Sequence, residues 1–196
     1  MTICSYSFEE YVERVRSFHG HPAPGVIIGG FMVDLACRHL PGGVMTDALC
    51  ETAKCLPDAI QILTPCTIGN GWLKVVNLGR YAVTLYDKDT GEGVRVAVDP
   101  IPLEGWPEIR DWFFKFESKN GEDLGILMAE IEEAEGSYLS VRYVKVADTV
   151  LHGTKRRAGF TVCARCGEAF PLSDGLLCLG CQGDPLWQAS KKKAFP

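Results

Sequence analysis

Residues 163–181 read CARCGEAFPLSDGLLCLGC: two Cys-x-x-Cys knuckles, Cys163/Cys166 and Cys178/Cys181, separated by eleven residues. Each knuckle turns two thiolates toward one point, and two knuckles complete the tetrahedral set that zinc accepts. Gly167 and Gly180 supply tight turns, and the interval leaves room for a hairpin between the knuckles. So short a segment has too few apolar side chains to fold alone, whereas structural zinc contributes on the order of 10 kcal/mol to such modules. Two disulfides or a thioredoxin-like redox pair are the competing readings. A reducing compartment disfavours the first, and the lack of a βαβ context disfavours the second. The stretch therefore predicts a four-Cys zinc-ribbon domain over residues 160–196, a closed site that holds a shape and performs no catalysis.

Outward from the knuckles the charge changes sign. Lys155-Arg156-Arg157 precedes them and Lys191-Lys192-Lys193 follows, so residues 151–159 read as a basic linker. From Val150 onward seven Lys/Arg face three Asp/Glu, which leaves thirteen against twenty-two in the preceding body of a chain whose net charge is −5. The basic runs admit a nucleic-acid or protein partner through the tail, with plain solvated charge as the alternative. Phe170 and Trp187 are suited either to stacking on bases or to covering the small zinc core.

The 196 residues, 46% hydrophobic and 23% charged, provide for one core plus a small module and exclude wholesale disorder. The longest apolar run, Val26 to Val33, is far short of the ~20 residues of a membrane span. The first residues, MTICSYSFEEYVERVRS, lack a basic stretch followed by an apolar one, so a cytoplasmic setting is expected.

Residues 1–150 read as an α+β core domain of mixed helices and antiparallel sheet. Ser7-Phe8-Glu9-Glu10 is a capping box that starts a helix with Phe8, Tyr11, Val12, Val15 and Phe18 along one stripe. His19 to Gly25, with two prolines and two glycines, reads as a rigid loop, and Val26 to Leu40 as a buried central helix ended by Pro41-Gly42-Gly43. Val44–Cys50 reads as a strand and Asp58–Leu63 as a short helix. Three β-rich runs follow, the last two joined as a hairpin by 87–93, then a linker over Ile101–Pro107, helices over Glu108–Glu117 and Asp123–Glu135, and a strand over Tyr138–Val146. Without a regular βαβ alternation, this order argues against a doubly wound sheet.

His19 and His21, two apart beside Pro22 and Pro24, are candidate ligands for a second divalent metal, although loop histidines are more often exposed or capping groups. Cys55, before Pro57-Asp58, and Cys66, in Thr64-Pro65-Cys66-Thr67, are candidate ligands or reactive thiols, with burial as the competing reading. Cys4, Cys37 and Cys50 fit burial better.

Taken together, Phe18-His19-Gly20-His21-Pro22-Ala23-Pro24-Gly25, Glu51-Thr52-Ala53-Lys54-Cys55 and Asp58 to Gly71 resemble the formylmethanofuran dehydrogenase E-subunit family. The resemblance is strong over residues 8 to 100 and extends to the zinc ribbon of its longer members. It implies an α+β core, a C-terminal zinc finger, an intertwined homodimer, and a metal-binding or active-site cleft at His19, His21, Cys55 and Cys66. Where the family usually places a cysteine in the first loop, this chain has Ala23, which neither ligates a metal nor acts as a nucleophile. The readings carried forward are a metal-binding accessory or regulatory protein, a small metal- or thiol-dependent enzyme, and an adaptor acting through the basic tail.

Overall fold

The computed structural model describes residues 1–115, 124–151 and 159–183. The chain divides into two compact units, Met1–Leu151 and His152–Pro196. The basic run of 155–157, Trp187 and the lysines at 191–193 lie outside the described residues.

The first unit opens with a two-stranded hairpin, β1 (Thr2–Ile3) and β2 (Tyr6–Ser7), that runs directly into helix α1 (Phe8–His19). The capping box forms as the sequence predicts: the Glu10 amide donates to Ser7 Oγ at 3.2 Å, and the Ser7 amide donates to Glu10 Oε2 at 2.8 Å. α1 runs one residue into the segment read as a loop, so His19 belongs to its last turn and Gly20, left-handed at φ 92°, closes it. Helix α2 (Pro24–His39) starts on a proline and is buried along nearly its whole length, consistent with its apolar circumference. It passes so close to α1 that a Cβ on Gly30 would overlap the Tyr11 ring, and that ring anchors the crossing by donating its hydroxyl to Val26 O at 2.8 Å.

After strand β3 (Thr46–Cys50) the chain makes helix α3 (Leu56–Leu63) and returns as the short strand β4 (Leu73–Val75). Strands β5 (Ala82–Asp87), β6 (Glu92–Val98) and β7 (Leu139–Lys145) complete a five-stranded sheet ordered β4-β3-β5-β6-β7. The sheet is mixed, which corrects the antiparallel expectation: β3 and β4 are parallel, while the remaining pairs are antiparallel. Parallel neighbours need a crossover, and α3 is that crossover. The pleat sends Ala48, Cys50, Val83, Leu85, Val94 and Val96 into one buried cluster with Ile27, Ile28, Phe31 and Met32 of α2.

Between β6 and β7 lie α4 (Pro100–Leu103), α5 (Pro107–Phe114) and α6 (Leu124–Ala134), with α7 (Asp148–Leu151) after β7. The segment read as a linker over Ile101–Pro107 thus contains most of α4, whose start is capped by the Asp99 carboxylate accepting from the Ile101 amide at 3.0 Å. No helix among the described residues is long and apolar enough to cross a membrane.

The second unit contains strands β8 (Phe160–Val162) and β9 (Ala169–Pro171), paired antiparallel, and the short helix α8 (Leu179–Gln182).

Candidate metal centres

In the second unit the first knuckle is itself the turn of the β8–β9 hairpin. The Cys163 amide donates to Glu168 O at 2.9 Å and the Gly167 amide to Cys163 O at 3.0 Å, which curls the chain around both sulfurs. The hairpin therefore surrounds the first knuckle instead of lying between the two. The second knuckle is built on a helix start, with Cys178 at the N-cap of α8 and Cys181 in its first turn, where the Cys181 amide donates to Cys178 O at 2.9 Å. A knuckle in a hairpin turn followed by a knuckle on a helix is a treble-clef arrangement, which refines the ribbon expectation.

All four Sγ atoms lie within 4.8 Å of one another, with Cys166 and Cys178 sulfurs 3.8 Å apart. Zinc–sulfur bonds of about 2.3 Å arranged tetrahedrally place sulfurs about 3.8 Å apart, so the donor set fits zinc in size and chemistry. At Cys163 backbone amides favour the thiolate form: those of Cys166 and Cys178 face its Sγ, the latter at 3.4 Å, and pull this one thiol down to about 6, while burial and the neighbouring thiols push Cys181 up. Four protein sulfurs leave no open position, so a metal here organises the module.

The core candidates are arranged differently. His19 Nδ1 donates to Asp58 Oδ2 at 2.6 Å, joining the end of α1 to the start of α3. The His21 ring lies 4.9 Å from that of His19, tilted by 49°. A carboxylate on Nδ1 fixes the ring and leaves Nε2 as a lone-pair donor, the way metal-ligating histidines are usually oriented. Asp58 is therefore a site residue that the sequence reading placed only as part of a helix start. No local pattern marks its pairing, because the partners are 39 positions apart.

Cys55 precedes α3 in a strained turn with φ 53° and ψ −54°, the Leu56 amide reaching back to Lys54 O. Its side chain packs against Gly25, where an added Cβ would stand 2.9 Å from Cys55 Cβ and 3.1 Å from the Tyr81 hydroxyl; glycine is the residue that permits this approach. Burial, then the charge of Asp58, pushes the Cys55 thiol up, so at neutral pH it is protonated and a weak nucleophile. Cys66 is buried elsewhere: its thiol donates to Thr46 O at 3.2 Å, and burial raises it as well. Among the described residues, the finger's cysteines are the only group of three or more His, Cys, Asp or Glu side chains close enough to enclose an ion. His19 thus meets Asp58 on one side and the His21 ring on the other, without the three closing on one point, while Cys66 is held apart. Ala23 is buried at the N-cap of α2 and makes no side-chain hydrogen bond.

One further buried charge lies in the first unit. Glu51, just past β3, is gripped by Arg95 at 2.7 and 2.9 Å and by Arg80 at 2.6 Å. The Arg95 hydrogen bonds, then the neighbouring positive charges, hold its carboxyl below the usual range against the cost of burial.

A helix-covered mixed sheet joined to a four-Cys treble clef defines a class of two-module, zinc-finger-bearing protein. Within that class the chain belongs to the FmdE family: the model described as FmdE, molybdenum formylmethanofuran dehydrogenase operon, matches residues 18–147, and that of the FmdE treble clef zinc finger matches residues 154–188. It is 52% identical to a crystallised FmdE-like protein of the tungsten formylmethanofuran dehydrogenase type from Syntrophus aciditrophicus, with a TM-score of 0.87 over 95% of this chain and 98% of that one. It is also 31% identical to an Archaeoglobus fulgidus protein described as a "Probable S-adenosyl-L-methionine-binding protein". That match covers 87% of this chain and 52% of the relative, so this chain spans about half of that protein's length.

Proposed function

We propose that this protein is a metal-binding accessory or regulatory factor, with a structural zinc in the finger and a second divalent metal held by His19 and His21. The observation that carries the second site is the 2.6 Å Asp58–His19 contact beside the His21 ring. Such a carboxylate–imidazole pair costs ordering entropy at a partly buried position and offsets it when the freed nitrogen binds a cation. Two protein ligands leave the metal's remaining positions to water or to a partner's donor group, as suits an accessory protein that senses or hands on a metal or ligand. The chain acts as a homodimer in this reading, as the family resemblance implies. A reducing cytoplasmic setting belongs to the same proposal, in which the finger's four cysteines hold zinc and the five of the core are thiols.

Elemental analysis of the full chain loaded with zinc or cobalt tests this. Two metals per chain are expected, falling to one in His21→Ala with the finger's metal retained, since the exposed His21 side chain supports no core packing. A single metal per wild-type chain overturns the second site.

A further inference from the structure

A cavity of about 470 Å³ opens at the end of α2, lined by Leu40, Val44, Leu63, Leu85 and Trp72 and also by Cys37. Its size and apolar walls suit a small organic molecule. Cys37 is exposed. Behind it stands Cys4, in the two-residue turn between β1 and β2, at φ 53°. The Cys4 amide donates to Asp34 Oδ1 at 2.8 Å, and Asp34 lies one helical turn before Cys37 on α2, so the turn is pinned with Cys4 alongside Cys37. Asp34 and Cys37 share one face of α2, which makes the two thiols neighbours; their interaction pulls Cys37 down and, with burial, pushes Cys4 up, while the Asp34 charge raises both.

Asp47 and Lys88 also line the cavity, and Cys37 is the one cysteine in its lining, with the less exposed Cys4 behind it. Thiol–disulfide exchange is a chemistry that requires no more than a thiolate with access to a disulfide and a second thiol placed to resolve the product.

We propose that Cys37 and Cys4 act as a dithiol that reduces a small, apolar disulfide seated in this cavity. The Cys37 thiolate attacks one substrate sulfur, the substrate S–S bond breaks, a mixed disulfide forms on Cys37, and the first substrate thiolate leaves. Cys4, giving up its proton to solvent, then attacks Cys37 Sγ and expels the second substrate half as a thiolate. Two electrons pass from the cysteine pair to the substrate, and the protein is left with a Cys4–Cys37 disulfide. The exposed Cys37 attacks and the half-buried Cys4 resolves.

The test uses the zinc-loaded full chain and one equivalent of 4,4′-dithiodipyridine, a flat apolar disulfide, read by thiopyridone release, intact mass and peptide mapping. The wild type is expected to release both halves of the reagent, keep no adduct, lose two hydrogens in mass, and yield a Cys4–Cys37 cross-linked peptide. Cys4→Ser should release one half and retain the other on Cys37, and Cys37→Ser should lose the fast phase. Val44→Trp, which fills the cavity, should slow the reaction by about tenfold while leaving alkylation of Cys37 by iodoacetamide unchanged. Release of both halves by Cys4→Ser, a cross-link confined to the finger's cysteines, or an unaltered rate in Val44→Trp each overturns the proposal.

Discussion

The finger and the His19–Asp58 corner of the core both gather side chains of types that ligate metals, yet they are stabilised in opposite ways. In the finger, four sulfurs meet within 4.8 Å while large apolar side chains such as Leu176 and Leu179 remain 87% and 67% exposed, so a bound metal takes the place of a core. In the core, the sheet and α2 bury a continuous apolar cluster, and His19 and Asp58 meet only because α1 and α3 are already packed. One module is folded by its ligands, whereas the other brings the ligands proposed for a second metal together by folding. The contrast says which perturbations should travel. Damage to a finger ligand is expected to unfold the finger alone, and damage at the proposed core site to change metal occupancy with little effect on the fold.

The largest expected effect follows directly. Cys178→Ser removes one of four thiolates and the cap residue of α8, and structural zinc is worth on the order of 10 kcal/mol to such modules. Bound zinc should fall below one per finger, and proteolysis should cut within 159–183, while the melting of residues 1–151 stays near wild type. Loss of the core transition together with the finger would mean that the two modules are not stabilised separately.

Acid probes the core side of the comparison. Glu51 has its folded pKa depressed below its unfolded value of about 4.5, chiefly by the Arg95 hydrogen bonds. A depressed carboxyl contributes stability that is fully present above the unfolded pKa and is lost as pH falls through the folded one. The wild-type core should therefore lose stability as pH drops below about 4.5, and Glu51→Gln, less stable at neutral pH, should show a flatter acid limb. Parallel acid limbs for the two proteins, followed by thermal melts, would remove Glu51 from the account.

A smaller effect is expected at the corner itself. Asp58→Asn leaves α3 in place but removes the charge that orients His19, and loss of such an outer partner typically costs about 10–100-fold in metal affinity. Cobalt titration should show that weakening at one site, with the finger's thiolate-to-cobalt bands unaltered. A pronounced fall in melting temperature with no change in affinity would make the pair a structural tie.

How far each region was legible from sequence follows from the same contrast. The finger's donors fall within nineteen residues, so spacing alone exposes them, and only the four-residue α8, too short to show a helical period, hid the treble clef. The buried α2 declares itself because its apolar residues are contiguous. The parallel β3–β4 pair does not, since three residues of β4 carry no record of which strand they join. The Asp99-Pro100 start of α4 stands in the sequence but is followed by Pro102 and Gly105, which read as loop. His19 and Asp58 are each unremarkable locally, and their meeting is a property of helix packing.

The smallest expected effect separates stability from site geometry along a single helix. Ser7 caps α1 at one end, and His19 sits in the last turn at the other. Ser7→Ala removes the oxygen that accepts from the Glu10 amide and leaves Glu10 half of a reciprocal pair, a change worth about 1 kcal/mol. The loss falls on the first turn, because helix ends fray locally, and Gly20 with the Asp58 contact still fixes the last turn. The core should melt a few degrees lower, by roughly 2–4 °C for a domain of this size, while metal stoichiometry and the cobalt spectrum stay as in the wild type. If metal affinity falls along with the melting temperature, the corner is not fixed by its own contacts and depends on the whole helix, and the division between a ligand-folded finger and a fold-assembled core site would have to be redrawn.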